Sequence, residues 1–352
     1  MKLYNKEQLI DEQGKQYYIN NIKALLIILV VVGHVVSCVK SVNPFAKSIY
    51  FFAYSFHMPA FIFLTGYLSQ SCKNNWHKMI HKLYVFSAIY VVYQVVFDCI
   101  QRYGTSADMT PLLMWSPRIG LWYLLVLIIW LPIVYFTRKV PPQYMLVFSI
   151  LGGFMIGLFD GAGKEWALQR LFVFFPFYYL GIVFPKNYME RWLFFKDTDR
   201  KKSRIVYWGA VAVLCGWILF CLVEASTLGY KVFLGNTSYD IMGISVVRGI
   251  LYRGLWYILA SIMTVVIFIL VPKFQLCISY LGECTLQIFI LHSIICRVWF
   301  IEGSIRNLWS KTNIFIVILV SFGLIFILGI KTLTMLVDWP EKLLYTIKQK
   351  EN

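Results

Sequence analysis

Charged residues are scarce in this 352-residue sequence. Only 14% of the residues are Asp, Glu, Lys or Arg, whereas 59% are hydrophobic, and the mean hydropathy is +0.68. This scarcity excludes a soluble protein and places the chain among integral membrane proteins. Acidic residues are scarcer than basic ones: the chain has 17 Asp and Glu but 33 Lys and Arg, which gives a net charge of +16. No basic stripe on a nucleic-acid-binding fold accompanies that charge, so nucleic acid is excluded and membrane lipid is the expected partner of the basic loops.

Other familiar signals are missing as well. The eight cysteines show no CxxC spacing and no paired framework, which indicates small core residues. Residues 1–20 are mostly polar, and the first apolar run ends without a small-residue cleavage pattern, so a cleaved signal peptide is not expected. The sequence has no low-complexity tract, no clear internal repeat and no appended soluble domain. Any chemistry is therefore expected inside a membrane bundle, and no metal is expected there.

Ten segments approach the ~20 mainly apolar residues that a membrane-spanning helix needs. They are residues 22–41, 48–70, 80–100, 118–136, 143–159, 170–185, 205–224, 250–271, 275–299 and 314–337. We therefore predict an all-α, polytopic bundle of about ten transmembrane helices. It forms a single domain over residues 1–352, with an N-terminal segment at 1–20 and a short C-terminal tail at 338–352.

Basic residues are unequally divided between the two sides of this bundle. With the N-terminus in the cytoplasm, 19 of the 33 Lys and Arg residues fall in cytoplasmic loops and 10 in the opposite loops. Lys and Arg accumulate on the cytoplasmic side of membrane proteins. We therefore predict a plasma-membrane protein with both termini cytoplasmic, and the basic stretch 186–204 is the strongest cytoplasmic marker.

Between Asn21 and Val39, the first apolar segment contains one cationic residue, Lys23, and one histidine, His34. His34 follows Lys23 by eleven positions, and at ~100° per residue the two side chains point within ~20° of each other, ~16 Å apart along a helix. One groove would therefore hold a long ligand with its anionic end at Lys23 and its reactive end at His34. Lys23 as an ordinary snorkelling anchor, and His34 as a histidine satisfied by an interhelical hydrogen bond, are the simpler alternatives.

Further polar residues interrupt later segments. Pro59 leaves the carbonyl of Ser55 without its helical donor, beside His57, at a depth similar to that of His34. Pro176 likewise leaves the carbonyl of Phe172 without its helical donor, in a segment that begins at Arg170. Arg253 and His292 lie within two more segments. Each of these residues alone is compatible with a kink or an interfacial anchor, but together they predict a basic, hydrogen-bonding cavity open to the outer side.

Several of these residues belong to longer sequence motifs. They are the basic-x10-His pair Lys23 and His34, "FHMPAFIFLTGY" at residues 56–67, "WYL" at 122–124, "FFPFYYLG" at 174–181 and "LGECTLQIFILH" at 281–292. In this order they resemble the acyltransferase-3 integral membrane acyltransferases, and more closely the branch of fucose 4-O-acetylase-like acetyltransferases. Most members of that family have arginine where this chain has Lys23. Lysine keeps the charge but lacks the planar fork that grips phosphate at two points.

The resemblance implies transfer of an acetyl group from cytoplasmic acetyl-CoA to a hydroxyl of a cell-surface polysaccharide or its precursor. We expect His34, as a neutral imidazole in a low-dielectric cavity, to be the general base, and His57 to orient it or carry a second proton. Arg253, Arg170 or Trp122 would stabilise the developing oxyanion. The acceptor site would include Trp122, Arg170 and His292. Phosphates of coenzyme A would bind Lys23, Lys73, Lys78 and Lys82.

Two alternatives remain at this point. An acyl group carried on a histidine is a variant of the mechanism. The rival function is a transporter or flippase for a surface glycan, because proline-broken helices and buried basic residues also suit a transport pathway. Asp and Glu lie mostly at segment ends, which weighs against proton-driven transport.

Overall fold

The computed structural model describes residues 6–104, 112–163, 165–188, 200–224, 229–296 and 312–351. Within these ranges the regular structure is helical, without a strand, so the predicted all-α class is confirmed. The helices are α1 (Lys6–Val36), α2 (Pro44–Leu68), α3 (Gln70–Asn74), α4 (Trp76–Gly104), α5 (Trp122–Phe136), α6 (Pro142–Met155), α7 (Leu168–Val183), α8 (Arg200–Glu224), α9 (Lys231–Leu234), α10 (Val246–Leu270), α11 (Thr285–Ile295), α12 (Ile314–Leu328) and α13 (Met335–Glu351). Short 3-10 helices lie at Ile119–Leu121, Ile156–Leu158, Asp160–Gly163, Glu165–Ala167, Ser279–Gly282 and Lys331–Thr334.

Six helices in the described ranges are long and apolar enough to cross a membrane, which makes the chain a multi-pass membrane protein. They cover Gln13–Val36, Pro44–Leu68, Trp76–Ile100, Glu165–Val183, Lys201–Glu224 and Val246–Leu270. Helix α12 and the helical segment after it meet at a bend of 68°, and they form a seventh span if the pair is taken as one. The three other predicted segments fall on shorter apolar helices, Trp122–Phe136, Pro142–Leu158 and Thr285–Ile295. Ten complete spans therefore remain a prediction.

Some boundaries differ from the predicted ones. Helix α1 begins at Lys6, so much of the N-terminal segment 1–20 continues the first helix. The C-terminal tail is helical in α13 up to Glu351. The predicted segment 275–299 starts with a loop and a 3-10 turn, and α11 begins only at Thr285. The middle of the basic stretch 186–204 and the end of segment 275–299 lie outside the described residues.

Helix α2 lies at the centre of the bundle, against α1, α7, α8, α9 and α10. Its closest neighbour is α7, because a glycine from each helix removes the side chain that would separate them. A Cβ on Gly66 would lie 2.1 Å from the carbonyl oxygen of Tyr178, and a Cβ on Gly181 would lie 2.1 Å from that of Phe63. Small residues at such contacts let membrane helices approach closely and gain van der Waals energy. This contact places the start of α7 beside the middle of α2.

Aromatic side chains from other helices satisfy carbonyls that prolines leave free. In α2 the indole Nε1 of Trp256 donates to the Ser55 carbonyl at 2.8 Å, which is the carbonyl that Pro59 was predicted to free. In α13, Pro340 frees the carbonyl of Leu336, and the Tyr93 hydroxyl donates to it at 3.0 Å. An unsatisfied backbone group inside a membrane is costly, so these bonds stabilise the broken helices.

The outer surface of the bundle is apolar along several helices. On α8 the side chains of Ile205, Trp208 and Val223 are exposed, and on α12 those of Phe315 and Leu319. Exposed apolar side chains on membrane-spanning helices suit contact with lipid chains. In contrast, several polar residues of α1, α2 and α11 are buried inside the bundle, among them Asn21, Ser55, His57, Gln287 and His292.

Candidate functional site

Two histidines from opposite ends of the chain meet inside the bundle. The ring of His292, in α11, lies edge-on to the ring of His34, in the last turn of α1, with centroids 5.1 Å apart. The Nδ1 atom of His292 lies 2.7 Å from the carbonyl oxygen of Ile288. Since a carbonyl only accepts hydrogen bonds, Nδ1 carries the proton and Nε2 of the neutral ring is a free acceptor. That Nε2 is buried, and no hydrogen-bond partner for it is found in the described part of the chain.

A third histidine inside the bundle, His57, is separated from His34 by one aromatic ring. Tyr54 lies between them, with its ring centroid 6.0 Å from that of His34 and 4.8 Å from that of His57. Nδ1 of His57 is 2.6 Å from the Ala53 carbonyl, so it too carries the proton. Gly33 makes room for the tyrosine, because a Cβ there would lie 3.1 Å from the Tyr54 ring. The structure thus brings His34 and His292 into direct contact and joins His57 to them through Tyr54.

A cationic group lies beside this cluster at the start of α7. The guanidinium of Arg170 sits 4.5 Å from the ring centroid of Trp122, and its Nε donates to the carbonyl of Leu234 at 3.3 Å. Arg170 interacts electrostatically with both His34 and Tyr54. The structure therefore brings Arg170 and Trp122 into contact beside the histidines, while their roles stay predictions.

Lys40 adds a second positive charge near His34, in the turn after α1. Its ammonium lies 3.8 Å from the ring centroid of Tyr50 and 4.6 Å from that of Tyr230. Tyr50 in turn stacks on Tyr54, at 3.9 Å between ring centroids. Burial lowers the pKa of Lys40 to about 8. We call this end of the bundle the Lys40 end.

Arg253 has contacts of a different kind. It is fully buried in α10, where Nη1 donates to the Gly153 carbonyl at 2.7 Å and Nη2 to the Thr237 carbonyl at 3.2 Å. Its guanidinium also lies 4.8 Å from the ring of Tyr239. These bonds connect α10 to α6 and to the loop that precedes α10. None of these contacts involves a histidine, so the structure does not bring Arg253 together with His34 as the sequence-based assignment expected.

A cavity of about 260 Å³ lies on the other side of the histidines. Its lining residues come from α1, α2, α4, α5 and α11: Lys23, Val30, Met58, Phe61, Leu64, Thr65, Leu68, Ser69, Lys82, Phe86, Tyr123, Leu124, Leu127, Thr285, Leu286 and Phe289. Val30 stands one helical turn before His34, and the ring of Phe289 lies 6.0 Å from that of His292. The cavity wall therefore extends from Lys23 to Val30 and Phe289, which are neighbours of His34 and His292, although neither histidine belongs to the wall.

Two of the four predicted phosphate-binding lysines line this cavity. Lys23 is half-buried and interacts electrostatically with Glu283. Lys82 donates from Nζ to the Leu68 carbonyl at 3.1 Å and to the Ser69 hydroxyl at 3.2 Å. Lys73, in α3, and Lys78, in the first turn of α4, are not part of the cavity wall.

The sequence reasoning did not single out Lys40, Tyr50, Tyr54 or Tyr230. A partial signal was present, because Tyr50, Tyr54 and His57 are spaced i, i+4, i+7 and therefore share one face of α2. Tyr230 carried no such signal, since it reaches the cluster from a distant loop. Among the described residues no group of three or more His, Cys, Asp or Glu side chains has the arrangement of a metal site.

Comparison with known proteins gives one match. A family model of the acyltransferase-3 type, described as an acyltransferase domain, matches residues 16–332 and so includes every site residue above. No curated protein and no solved structure matches the chain.

Proposed function

The chain belongs to the acyltransferase-3 family, and from this premise we propose that it moves an acetyl group from cytoplasmic acetyl-CoA to a hydroxyl of a cell-surface polysaccharide or its precursor. Membership makes the chain a membrane acyltransferase. The donor, the acceptor, the plasma membrane as location and the cytoplasmic termini are parts of the proposal, as is the fucose 4-O-acetylase-like branch. One observation carries it: an apolar cavity with two lysines in its wall extends to the neighbours of the half-buried His34 and the buried His292, whose rings are in contact.

The cavity supports a donor with an anionic head and a narrow apolar arm. Lys23 and Lys82 would hold phosphate groups at one end, since ammonium groups bind phosphate as point charges. The walls beyond them, including Leu64 and Leu127, would enclose the arm and the acyl group. A volume of about 260 Å³ suits such an arm and leaves the nucleotide outside, at the protein surface. Lys73 and Lys78 would meet it there, close to the Lys82 side of the cavity.

His34 is the proposed general base. Its imidazole removes the proton of the acceptor hydroxyl as the hydroxyl oxygen bonds to the thioester carbonyl carbon. The carbon–sulfur bond then breaks, and the thiol leaves with a proton returned by the imidazole. A neutral imidazole has one protonated nitrogen, and Nε2 of the adjacent His292, which has no partner among the described residues, would accept a hydrogen bond from it after a rotation of either ring. The other nitrogen of His34 then remains unprotonated for the reaction.

Arg170 is the proposed partner for the negative charge that develops on the carbonyl oxygen. It is the arginine that interacts electrostatically with His34, and it is held in place by Trp122 and Leu234. Fixed charges in a water-poor site stabilise transition states strongly. We assign Arg253 a supporting role instead, because its guanidinium already bonds two backbone carbonyls.

The transporter alternative is not favoured by the family match. A proton-driven transporter would also need a free carboxylate inside the membrane. The buried carboxylate of α4, Asp98, instead pairs with Arg118 at 2.8 Å and with Arg102. Transfer through an acyl group carried on His34 remains the mechanistic variant of the same function.

The proposal is tested with purified protein in lipid nanodiscs, labelled acetyl-CoA and a panel of glycans. We expect release of free coenzyme A and label on the glycan. His34→Ala should lower the rate by about 10²- to 10⁴-fold. His77→Ala, at an exposed position in α4, is the matched control and should retain the wild-type rate. Full activity of His34→Ala would overturn the assignment of the base, and glycan movement without coenzyme A release would favour transport.

A further inference from the structure

In the described part of the chain, the ammonium of Lys40 is held by aromatic rings and not by an acid. It contacts the ring faces of Tyr50 and Tyr230, which come from α2 and from the loop before α9. Cation–π contacts of this kind fix the position of an ammonium group without a carboxylate or carbonyl acceptor. The N–H groups of Lys40 that do not face these rings are therefore presented at a defined place near His34.

Other lysines with defined contacts differ in this respect. Lys82 and Lys231 each donate to a backbone carbonyl, and Lys331 pairs with Glu283 at 3.2 Å. In the described part of the chain no such acceptor is found for Lys40, and Cys38 is the acidic group that acts on it electrostatically. A half-buried cation without a carboxylate partner is expensive, so a structural role alone accounts poorly for it.

A second cation reinforces the charge at the Lys40 end. Arg170 acts electrostatically on Tyr50 and Tyr54, and its described contacts are an indole ring and one backbone carbonyl. Lys40 and Arg170 thus make the side of the histidine cluster away from the cavity positive, with no acidic side chain among their described partners. Such a field attracts an anion to that side.

We propose that Lys40 binds the anionic group of a negatively charged acceptor glycan, which reaches His34 from the Lys40 end. This inference rests on the proposed function: with the donor in the cavity that contains Lys23, the acceptor must approach from the opposite side of the histidines. The anionic group is a carboxylate of an acidic sugar or a phosphate on the sugar. Both accept charge-assisted hydrogen bonds from an ammonium group.

The experiment measures binding without turnover. The probes are a uronic-acid trisaccharide, a neutral galactose trisaccharide and galactose 1-phosphate, titrated onto the full-length protein in nanodiscs without acetyl-CoA. We expect at least one anionic probe to bind about tenfold more tightly than the neutral one, and the preference to weaken at high salt. The anionic probe that binds more tightly shows whether the site recognises a carboxylate or a phosphate.

Variants assign the preference to Lys40. Lys40→Gln should abolish it, and Lys40→Arg, which keeps the charge, should retain part of it. Lys231→Gln removes an exposed lysine next to Tyr230 and should leave the preference unchanged. Thermal unfolding of each variant shows that loss of binding is not loss of fold. An unchanged preference in Lys40→Gln, or equal binding of neutral and anionic probes by the wild type, would overturn the inference.

Measuring coenzyme A release distinguishes failure of this inference from failure of the proposed function. If no glycan releases coenzyme A while Lys40 still determines an anion preference, the proposed function fails and the binding site stands. If coenzyme A is released equally with neutral and anionic glycans, and Lys40→Gln has no effect, the proposed function stands and the binding site fails.

Discussion

The rings of His34 and His292 are nearly perpendicular, with 5.1 Å between their centroids. Nδ1 of His292 is bonded to its own helix and Nε2 has no hydrogen-bond partner among the described residues, so the N–H of the adjacent His34 ring is a candidate donor to it. Two adjacent imidazoles in a low-dielectric site do not readily carry two positive charges, so a proton on one ring disfavours a second proton on the other. The pair, more than either ring alone, is the proton carrier of the proposed reaction.

Replacing His292 by alanine tests this coupling. We expect kcat to fall by about 10²-fold, because His34 loses the acceptor that selects its protonated nitrogen. The KM for the acceptor should change little, and the pH profile of kcat should shift, which a purely structural role would not produce. His77→Ala again serves as the control. A kcat equal to that of the wild type would show that His34 works without His292.

The cavity can be narrowed without touching a polar residue. Leu286→Trp, on the α11 wall, should raise the KM for acetyl-CoA about tenfold, because a larger side chain competes with the donor for the space. Binding of glycan probes without donor should be unaffected. Leu255→Trp, on the exposed face of α10, adds the same volume outside the cavity. Equal donor KM values in the two variants would mean that the donor binds elsewhere.

The contact between α2 and α7 is sensitive to one methyl group. In Gly181→Ala the new Cβ would meet the Phe63 carbonyl, so the helices must separate, at a cost of about 1–3 kcal/mol. Apparent thermal unfolding in detergent should show a lower midpoint. Gly209→Ala, in α8, has open space around its Cβ and should be neutral or slightly stabilising. A midpoint for Gly181→Ala as high as that for Gly209→Ala would contradict the close approach.

Lys40 predicts a particular dependence of stability on pH. Its pKa is lowered from 10.5 to about 8 in the folded protein, mainly by burial. Between these values the unfolded chain holds a proton that the folded protein has released, so the contribution of Lys40 to stability rises with pH from about 8 to 10.5. Below pH 8 both states are protonated and its contribution is constant.

This dependence is measured as the difference between wild type and Lys40→Met in apparent unfolding midpoint across that pH range. The ionisable neighbours Cys38, His34, Tyr50 and Tyr230 remain in both proteins and largely cancel. Affinity for an anionic glycan should fall over the same range as the ammonium loses its charge. A pH-independent difference would refute the lowered pKa.

Local regularities made part of the site predictable. The eleven-residue spacing of Lys23 and His34 put both on one side of α1, and the structure has Lys23 and Val30 in the wall of a cavity that leads toward His34. The carbonyl freed by Pro59 is likewise a local consequence of proline chemistry, although its donor, Trp256, comes from a distant helix. Each of these expectations needed only the geometry of one helix.

Neighbours across helices were less predictable. His57 was expected beside His34, but Tyr54 stands between them and His292 takes the adjacent place. Arg253 and Arg170 looked equivalent in sequence, yet only Arg170 acts on His34. Both outcomes depend on how each helix is rotated about its axis, which the periodicity of one helix does not specify.

The sequence alone determined the membrane location, the helical class and the alignment of Lys23 with His34, because hydrophobicity and helix period act over a few neighbouring residues. The tertiary structure decided which groups surround His34: His292 at its edge, Arg170 and Lys40 on one side and the cavity on the other. That choice follows from side-chain packing between helices far apart in the chain, above all the glycine contact of α2 with α7.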